Sequence, residues 1–199
     1  MEKPADGLGG GGVKKVTTTT IKNVDEYYNY LKNNNCFIEE LVYQHKKMSK
    51  LCKESINTIR IMTFNDNGTP IILWAGLRIG NGENPVDNFH AGGMGSPIDL
   101  ETGKLCGNAI NKDLDEFTNH PKSGLKFIGF QIPYFEETKN LVKEACLESD
   151  KIKVVGWDVA ITQDGPIIIE GNRRPGFDLV QVLSKRGRMD IIESVLNRL

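Results

Sequence analysis

The chain has 199 residues, and its 25 basic and 26 acidic side chains give a formal net charge of −1 at pH 7. This length fits one large domain or two lobes with ample core, and the near-neutral charge gives no support for a nucleic-acid partner. Four scattered cysteines without a C-x-x-C pair, no long apolar run and no signal-like N-terminus favour a soluble, cytoplasmic protein without membrane insertion.

The first distinctive segment is rich in glycine. Five of the six residues from Gly7 to Gly12 are glycines. The backbone N–H groups of such a loop can approach an anion closely, with Lys3 and Lys14 as nearby charges. Flexible termini and linkers have the same composition. The loop is not a P-loop, because no Gly-Lys-Ser/Thr follows it.

The following segments alternate between strand-like and helical patterns. Thr17–Ile21 is a short β-type run, and Val24–Leu31 has helical spacing with Asn23 as its N-cap. Cys36–Val42 predicts a strand, and the two acids within it favour an edge strand with one face in water. A basic stretch over residues 43–54 predicts a helical turn or linker.

We place a lobe boundary in that basic stretch, near His45. It divides the chain into a smaller lobe, residues 1–45, and a larger lobe, residues 46–199. The larger lobe begins with a predicted hairpin, in which Ile56–Phe64 alternates and Pro70–Ile79 returns after the turn signal Asn-Asp-Asn-Gly.

Each strand of this hairpin contains one arginine, Arg60 and Arg78. An arginine within a strand usually extends its charged end into solvent. Two arginines on paired strands are also suited to clamp a phosphate or a carboxylate, because each guanidinium offers a planar fork of donors. The sequence leaves both interpretations open.

A polar, glycine-dense segment over residues 80–95 has the length and composition of a functional or disordered loop. His90 and His120 are isolated, and loop-stabilising roles suit them better than catalysis. Beyond the loop, the patterns predict one further hairpin and three helices. These elements are Ser96–Ile110 around Glu101-Thr-Gly103, Tyr134–Ser149, Phe177–Leu183 and Met189–Leu199.

The last hairpin lies between the first and second of those helices. Two apolar runs within residues 155–172 flank Gln-Asp-Gly-Pro, which predicts a tight turn. Glu170 and Asn172 share one face of their strand because they are two residues apart. Asp158 faces Glu170 across the pair if the connection is odd in length or bulged, and points to the other face if it is a strict two-residue turn.

In the first of these registers, two carboxylates and an amide oxygen meet at one point. Carboxylates this close repel each other unless a cation lies between them. A set of oxygen ligands suits Mg²⁺, which keeps waters and substrate phosphates in its coordination shell. The alternative is a hairpin whose polar side chains simply face water.

Several of these segments occur together in the order typical of an ATP-grasp domain. The Asn-Thr-Ile-Arg, Asp-Asn-Phe and Gly-Trp-Asp-Val-Ala-Ile stretches most resemble the sugar-transferase-associated group, which is similar to teichuronopeptide-synthesis and alpha-L-glutamate-ligase proteins. The resemblance covers nearly the whole chain. The matching segments are Lys3-Pro4, the glycine loop, Glu39–Val42, Ile56–Arg60, Trp157-Asp158 and Ile169–Asn172.

This resemblance implies an α+β ATP-grasp fold, with two lobes that each contain a mainly antiparallel sheet and helices, and ATP between the lobes. It also implies ATP and Mg²⁺ as cofactors, commonly two ions. Lys3 resembles the lysine that contacts the nucleotide phosphates. Arg60 matches an arginine that lies near the transferred phosphate in the family. Arg78, on the neighbouring strand, matches the family pattern less closely.

The remaining implied roles fall into three groups. The loop around the central glycines resembles the flap over the phosphates, the segment before residue 43 resembles the hinge that recognises adenine, and the last hairpin supplies the magnesium ligands. The residues are Gly9, Gly10 and Gly11 for the flap, Glu39, Glu40, Leu41 and Val42 for the hinge, and Asp158, Glu170 and Asn172 for the metal.

The function implied is an ATP-dependent carboxylate–amine ligase that forms an acyl phosphate, with a small-molecule or saccharide acceptor in cell-envelope polysaccharide or peptide biosynthesis. A kinase-like phosphotransferase and a non-catalytic nucleotide-binding module are the alternatives. A complete ATP-grasp protein carries a further N-terminal segment, whereas Lys3 is almost the first residue here, which indicates a fragment or a shortened homologue. The sequence specifies no oligomeric state.

Overall fold

The computed structural model describes residues 1–5, 12–82, 89 and 92–198. The chain divides into two compact units, Met1–Val42 and Tyr43–Leu199. Each unit contains helices and an antiparallel sheet, so the predicted α+β class is confirmed. Within the described ranges, no helix is both long and apolar enough to cross a bilayer.

The first unit pairs strand β1 (Glu2–Pro4) with strand β2 (Cys36–Ile38) and includes helix α1 (Val24–Asn33). The predicted N-cap is confirmed, because the Asn23 side chain accepts hydrogen bonds from the backbone N–H groups of Asp25 and Glu26 at 3.0 and 3.3 Å. These bonds satisfy donors that the first turn of a helix leaves unpaired.

Two predictions for this unit are wrong. The β-type run at Thr17–Ile21 contains a 3₁₀ turn, Thr18–Thr20. Its hydroxyl groups bond locally, since Thr20 Oγ1 donates to Thr17 O at 2.7 Å, and such bonds compete with strand pairing. The strand predicted over Cys36–Val42 ends at Ile38, and the acidic residues that follow lie outside it.

The second unit is built on one seven-stranded antiparallel sheet with the order β7-β6-β5-β4-β3-β8-β9. The strands are β3 (Ile59–Asp66), β4 (Thr69–Ile79), β5 (Met94–Pro97), β6 (Ala109–Asn111), β7 (Glu116–Phe117), β8 (Val154–Ile161) and β9 (Pro166–Asn172). The helices are α2 (Lys46–Ser49), α3 (Phe135–Leu147), α4 (Asp178–Ser184) and α5 (Met189–Leu196).

Alternating residues of the central strands bury two separate apolar clusters, one on each face of the sheet. Ile61 of β3 belongs to the larger cluster, with Phe135 and Val142 of α3. Its neighbour Met62 belongs to the smaller cluster, with Leu183 of α4. Helix α3 therefore covers one face, and α4 covers part of the other.

The hairpin of β3 and β4 forms as the sequence predicts. Asn67 and Gly68 have φ angles of 49° and 93°, and Asn65 Oδ1 accepts a hydrogen bond from Gly68 N at 2.8 Å. Asparagine and glycine tolerate these positive φ angles better than other residues do. The turn places Arg60 opposite Gly76, so Arg78 points to the same face two residues further along β4.

The hairpin of β8 and β9 contains a β-bulge that decides the register of the site. Ile161 pairs with Pro166, and Val159 pairs with Ile168, but Asp158 pairs with Glu170. The extra residue, Ile169, shifts the rest of β9 by one position. Without it Asp158 would lie opposite Ile169, and Glu170 would point to the other face. The register with Asp158 facing Glu170 is therefore confirmed.

Candidate nucleotide and metal site

The centre of the candidate site is a carboxylate between two arginines. Arg60 lies opposite Asp158 in the β3–β8 register and binds it through two donors, Nε to Oδ1 at 2.5 Å and Nη2 to Oδ2 at 3.0 Å. Arg78 donates from Nη1 to Oδ2 at 2.9 Å. We call these three residues the arginine–aspartate cluster. Its side chains are only 17, 14 and 5% exposed for Arg60, Arg78 and Asp158.

Three glycines lie beside this cluster on the same face of the sheet. Gly76 is opposite Arg60, and Gly95 is opposite Arg78. A Cβ atom at Gly156, two residues before Asp158, would lie 3.6 Å from Cδ of Arg60 and 2.7 Å from Pro175. Cβ atoms at Gly76 and Gly95 would instead overlap or crowd apolar side chains of β4 and α4. These glycines thus let a proline and apolar side chains pack close to the sheet beside the cluster.

The next two polar residues on this face form a second pair. Asn172 Nδ2 donates to Glu170 Oε1 at 2.9 Å, and Glu170 is exposed. Because the amide nitrogen is turned toward Glu170, Oδ1 is the end of Asn172 that can ligate a cation. Glu170 faces Asp158 across the strand pair, where directly opposed Cβ atoms lie about 4.5–5.5 Å apart.

The side-chain oxygen atoms on this face are of the types that ligate Mg²⁺. They are carboxylate and amide oxygens, and Mg²⁺ commonly uses one or two carboxylates together with waters and phosphates. Among the residues that the structure describes, no group of three or more His, Cys, Asp or Glu side chains could hold a metal ion. The proposed set differs from such a group because one of its three ligands is an asparagine. A cation here would be held by oxygen atoms of Glu170, Asn172 and Asp158, and it would compete with the two arginines for Asp158.

In the first unit, the structure brings together two of the residues predicted to contact the nucleotide. Lys3 forms a salt bridge with Glu39, and Lys3 lies opposite Phe37 in the β1–β2 pair. Glu40 is exposed, whereas Leu41 and Val42 are half-buried, and these three residues lie outside helices and strands. An irregular segment leaves its backbone groups available to a ligand, as an adenine-binding hinge requires.

The predicted flap residues Gly9, Gly10 and Gly11 lie outside the described residues, as does His90. Half of the predicted functional loop over residues 80–95, namely residues 83–88, 90 and 91, is likewise outside them. The sequence-predicted site residues that are described fall into two sets. Lys3 and the segment from Glu39 to Val42 belong to the first unit, and the arginines and proposed metal ligands belong to the second.

A separate polar cluster surrounds His120, which is buried. Its Nε2 atom donates to Gly80 O at 2.9 Å, and its Nδ1 atom accepts from the backbone N–H groups of Lys122 and Ser123, each at 3.2 Å. Both ring nitrogens thus bind the backbone, which confirms the loop-stabilising role predicted for His120. All four cysteines are free thiols.

Sequence reasoning missed the mutual binding of Asp158 and the arginines. It left open whether the arginines face solvent or clamp a phosphate or a carboxylate, and the structure shows them clamping a carboxylate of the chain itself. A signal was present in the pattern. Arg60, Arg78 and Asp158 are all charged residues within apolar strands, and such residues are seldom buried without partners of opposite charge.

Comparison with models of known protein families identifies the class of this fold. The family model that matches the chain describes an ATP-grasp domain, so the fold is that of an ATP-grasp protein. The chain belongs to the sugar-transfer associated ATP-grasp family, whose model matches residues 2–197. No curated protein and no solved structure matches the chain. Membership of this family implies the use of ATP and, in general, of a divalent metal.

Proposed function

We propose that this chain is an ATP- and Mg²⁺-dependent carboxylate–amine ligase domain that acts on a small-molecule or saccharide acceptor in cell-envelope biosynthesis. The observation that carries the proposal is the convergence of Arg60, Arg78, Asp158, Glu170 and Asn172 on one face of the sheet. These residues supply two cations and three oxygen ligands. Phosphoryl transfer requires such charge neutralisation and positioning more than it requires an acid–base pair.

In the proposed reaction, a substrate carboxylate oxygen attacks the γ-phosphorus of ATP, and ADP leaves. An amine then attacks the acyl phosphate, loses a proton and expels inorganic phosphate, so that an amide forms. The arginines of the cluster neutralise charge on the transferred phosphoryl group and on the tetrahedral intermediate. A divalent metal held by Glu170, Asn172 and Asp158 would lower the negative charge that the attacking carboxylate meets.

The other residues have positioning roles in this proposal. Glu170 and Asn172 would ligate the metal on the face of the sheet that they share with Asp158. Lys3 contacts the nucleotide phosphates, and the backbone of residues 39–42 binds the adenine edge. The salt bridge between Lys3 and Glu39 is exchanged for the contact with phosphate. Two magnesium ions remain part of the hypothesis.

Calorimetric titration with Mg·ATP tests the proposal. We expect the 199-residue chain to bind Mg·ATP. The Glu170→Ala variant should bind it at least about tenfold more weakly, because loss of even an outer-shell partner of a metal costs about that much. The control is Glu144→Ala, which removes an exposed carboxylate from α3, on the opposite face of the sheet. It should bind as the wild type does.

The absence of Mg·ATP binding by the wild type would overturn the proposal, as would equal losses in the two variants. Product analysis separates the reaction classes. A ligase releases phosphate fully only when an amine is present, whereas a phosphotransferase leaves a stable phosphoester on a hydroxyl acceptor. Binding without turnover under any acceptor would identify a nucleotide-binding module instead.

A further inference from the structure

A cavity of about 380 Å³ lies between helix α4 and the hairpin of β6 and β7, within the second unit. Cavities of a few hundred Å³ are of the size that small-molecule ligands occupy. The lining combines apolar side chains with charged ones. It includes Ile110, Leu114 and Val182 as apolar residues, and Glu116, Lys185 and Arg186 as charged residues.

The cavity is separate from the nucleotide and metal site, although it lies on the same face of the sheet. Arg78 pairs with Gly95, Gly95 with Ile110, and Ile110 with Glu116, and directly paired residues point to one face. Ile110 and Glu116 are two and three strands from Arg78, about 10 and 14 Å at about 4.8 Å per strand. Helix α4 lies in between, since a Cβ atom at Gly95 would be 3.0 Å from Leu183.

Two residues that line the cavity have a left-handed backbone conformation. The φ angle is 68° at Leu114 and 52° at Lys185. Only three other non-glycine residues of the described chain have a positive φ, namely Asn35, Asn67 and Tyr134. Asparagine tolerates this conformation, whereas most side chains are disfavoured in it. Two of the three positions without asparagine therefore border one cavity, and backbone strain of this kind concentrates at ligand-binding sites.

The strain at Leu114 is not compensated by burial, because this residue is 66% exposed. The side chain of Asn111 fixes the turn, since its Oδ1 accepts from Asp113 N at 3.0 Å and from Asp115 N at 2.9 Å. Leu114 N also donates to Asn111 O at 3.1 Å. The turn thus holds an unfavourable residue type in place and presents its apolar side chain to solvent beside the cavity.

The charged part of the lining is positive overall. Two cations and one carboxylate leave a net charge of +1, which exceeds the about half a negative charge at the C-terminal end of a helix such as α4. Lys185 Nζ donates to Glu116 Oε1 at 2.6 Å, so these two charges compensate each other. Arg186 is 66% exposed and lies 3.6 Å from Asp190, beyond the about 2.7–2.9 Å of a charge-assisted hydrogen bond. Asp190 is instead bound by Arg188 Nε at 2.9 Å.

We propose that this cavity binds an amphipathic anion, namely a short aliphatic chain that carries a phosphate or a carboxylate at one end. The chain packs on Leu114, Ile110 and Val182, and the head group accepts hydrogen bonds from the guanidinium of Arg186. The contact of Lys185 with Glu116 keeps that carboxylate from repelling the anion. The inference goes beyond the proposed function, because no residue assigned to the nucleotide or the metal lines the cavity.

Calorimetric titration of the 199-residue chain with octyl phosphate, below its critical micelle concentration, tests the site. We expect octyl phosphate to bind at least about tenfold more tightly than inorganic phosphate, because burial of two methylene groups supplies that much. It should exceed octyltrimethylammonium by a similar factor, because the cation meets a positive lining. Equal affinity of octyl phosphate with either of these compounds would overturn the proposal.

The Leu114→Asn variant separates ligand binding from stability. We expect it to bind octyl phosphate at least about tenfold more weakly, while the midpoint of urea unfolding stays the same or rises because asparagine suits the positive φ. Leu196→Asn is the control, since it removes an equally exposed leucine from α5 and should leave octyl phosphate binding unchanged. A destabilised Leu114→Asn variant, or one that binds as the wild type does, would overturn the proposal.

The head-group contact has its own pair of variants. We expect Arg186→Gln to weaken octyl phosphate binding about tenfold, and Arg198→Gln, which removes an exposed arginine bound to Asp66, to change it less than twofold. Equal losses would mean a general effect of charge and would overturn the assignment. Vesicles of phosphatidylcholine and phosphatidic acid offer the same chemistry as a membrane surface. Binding to these vesicles without binding of monomeric octyl phosphate would overturn the small-molecule site.

Discussion

At the scale of single residues, the arginine–aspartate cluster differs from the surface salt bridges because it is buried. A salt bridge at the surface contributes about 0–1 kcal/mol, because water screens it and ordering the side chains costs entropy. Asp158 is different, since its side chain is 5% exposed and both of its partners are more than four-fifths buried. Removal of the shared carboxylate leaves two buried cations beside each other.

We therefore predict that Asp158→Asn lowers the free energy of unfolding by about 3–5 kcal/mol, the cost of breaking a buried ion pair from one side. Chemical denaturation measures this loss. The control is Asp164→Asn, which changes an exposed carboxylate in the turn between β8 and β9 and should alter stability by at most about 0.5 kcal/mol. Equal effects of the two substitutions would contradict the buried ion-pair account.

A second buried carboxylate, Glu2, determines the ionisation of a tyrosine in the first unit. Tyr27 donates from its hydroxyl to Glu2 Oε2 at 2.6 Å, and this hydrogen bond raises the pKa of Tyr27 to about 12, from 10. The protonated phenol is the form that the fold favours. Its contribution to stability is fully present below about pH 10 and is lost as the pH rises through about 12.

We predict that Tyr27→Phe removes the step near pH 12 from the near-ultraviolet titration of the tyrosines. At neutral pH the variant should also lose about 1.5–3 kcal/mol from the first unit, the contribution of a hydrogen bond to a charged group. An unchanged titration curve would rule out the bond to Glu2 as the cause.

At the scale of elements, local signals predicted the central strands well and the short ones badly. The hairpin of β3 and β4 follows from its alternation and from Asn67-Gly68, because those residues tolerate the φ angles of the turn. Thr18–Thr20 shows the opposite case. Threonine favours strands because its side chain packs well on a sheet. Among the described residues no strand pairs with this run, so the hydrogen bonds of its hydroxyl groups stabilise a 3₁₀ turn instead of a strand.

The candidate site shows the same division. That Glu170 and Asn172 share a face follows from the two-residue period of a strand, and the sequence was sufficient for it. The position of Asp158 depends on a bulge at Ile169, and a bulge is a property of the paired strands that no residue spacing determines. The contact of Arg78 with Asp158 spans two strand pairings, so it required the whole sheet order.

Helix α1 depends on its cap to an unusual degree, because none of its residues is buried. Asn23→Ala removes the acceptor for two backbone donors, and we predict a loss of about 1 kcal/mol in the local stability of the helix. Amide hydrogen exchange across Val24–Asn33 measures it. Asn29→Ala, at an exposed position within the helix, should instead slow exchange slightly, since alanine is the better helix former.

The turn between β5 and β6 offers a test of close packing. Gly103 has a φ of 67°, and a Cβ atom there would lie 2.8 Å from three atoms of Phe135 on α3. We predict that Gly103→Ala costs about 2–4 kcal/mol in thermal or chemical unfolding, from the backbone strain and the overlap together. Gly124→Ala is the matched control.

Gly124 has a φ of 71°, and its added Cβ would meet nothing within 4 Å. The control should therefore show the backbone strain alone, about 1–2 kcal/mol. The difference between the two variants measures the contact with Phe135. If Gly103→Ala were as mild as its control, the packing of α3 on this turn would be looser than the structure indicates.

At the scale of the whole molecule, the apolar core is unequally divided. All buried hydrophobic side chains of the described residues belong to the second unit, and Glu2 is the one described residue of the first unit that is buried. Hydrophobic burial supplies most of the free energy that opposes chain entropy. The second unit therefore has the apolar core needed to fold alone, which the described residues of Met1–Val42 do not supply.

We predict that residues 43–199, produced alone, unfold in one cooperative transition during denaturant titration. The isolated segment 1–42 should show no such transition, because its described residues contain no apolar core. Far-ultraviolet circular dichroism follows both. A cooperative transition in the short segment, or its absence in the long one, would contradict this division of stability.

The two tryptophans of the chain lie on opposite sides of its large sheet. Trp74 packs in the apolar cluster that includes Leu183 of α4, and Trp157 packs against the cluster of α3, where its Nε1 atom donates to Thr63 Oγ1 at 2.8 Å. Trp157 also immediately precedes Asp158. The protein thus carries an intrinsic fluorophore on each side of the sheet. In single Trp→Phe variants, the fluorescence of the remaining tryptophan would distinguish conformational changes near α4 from those in β8.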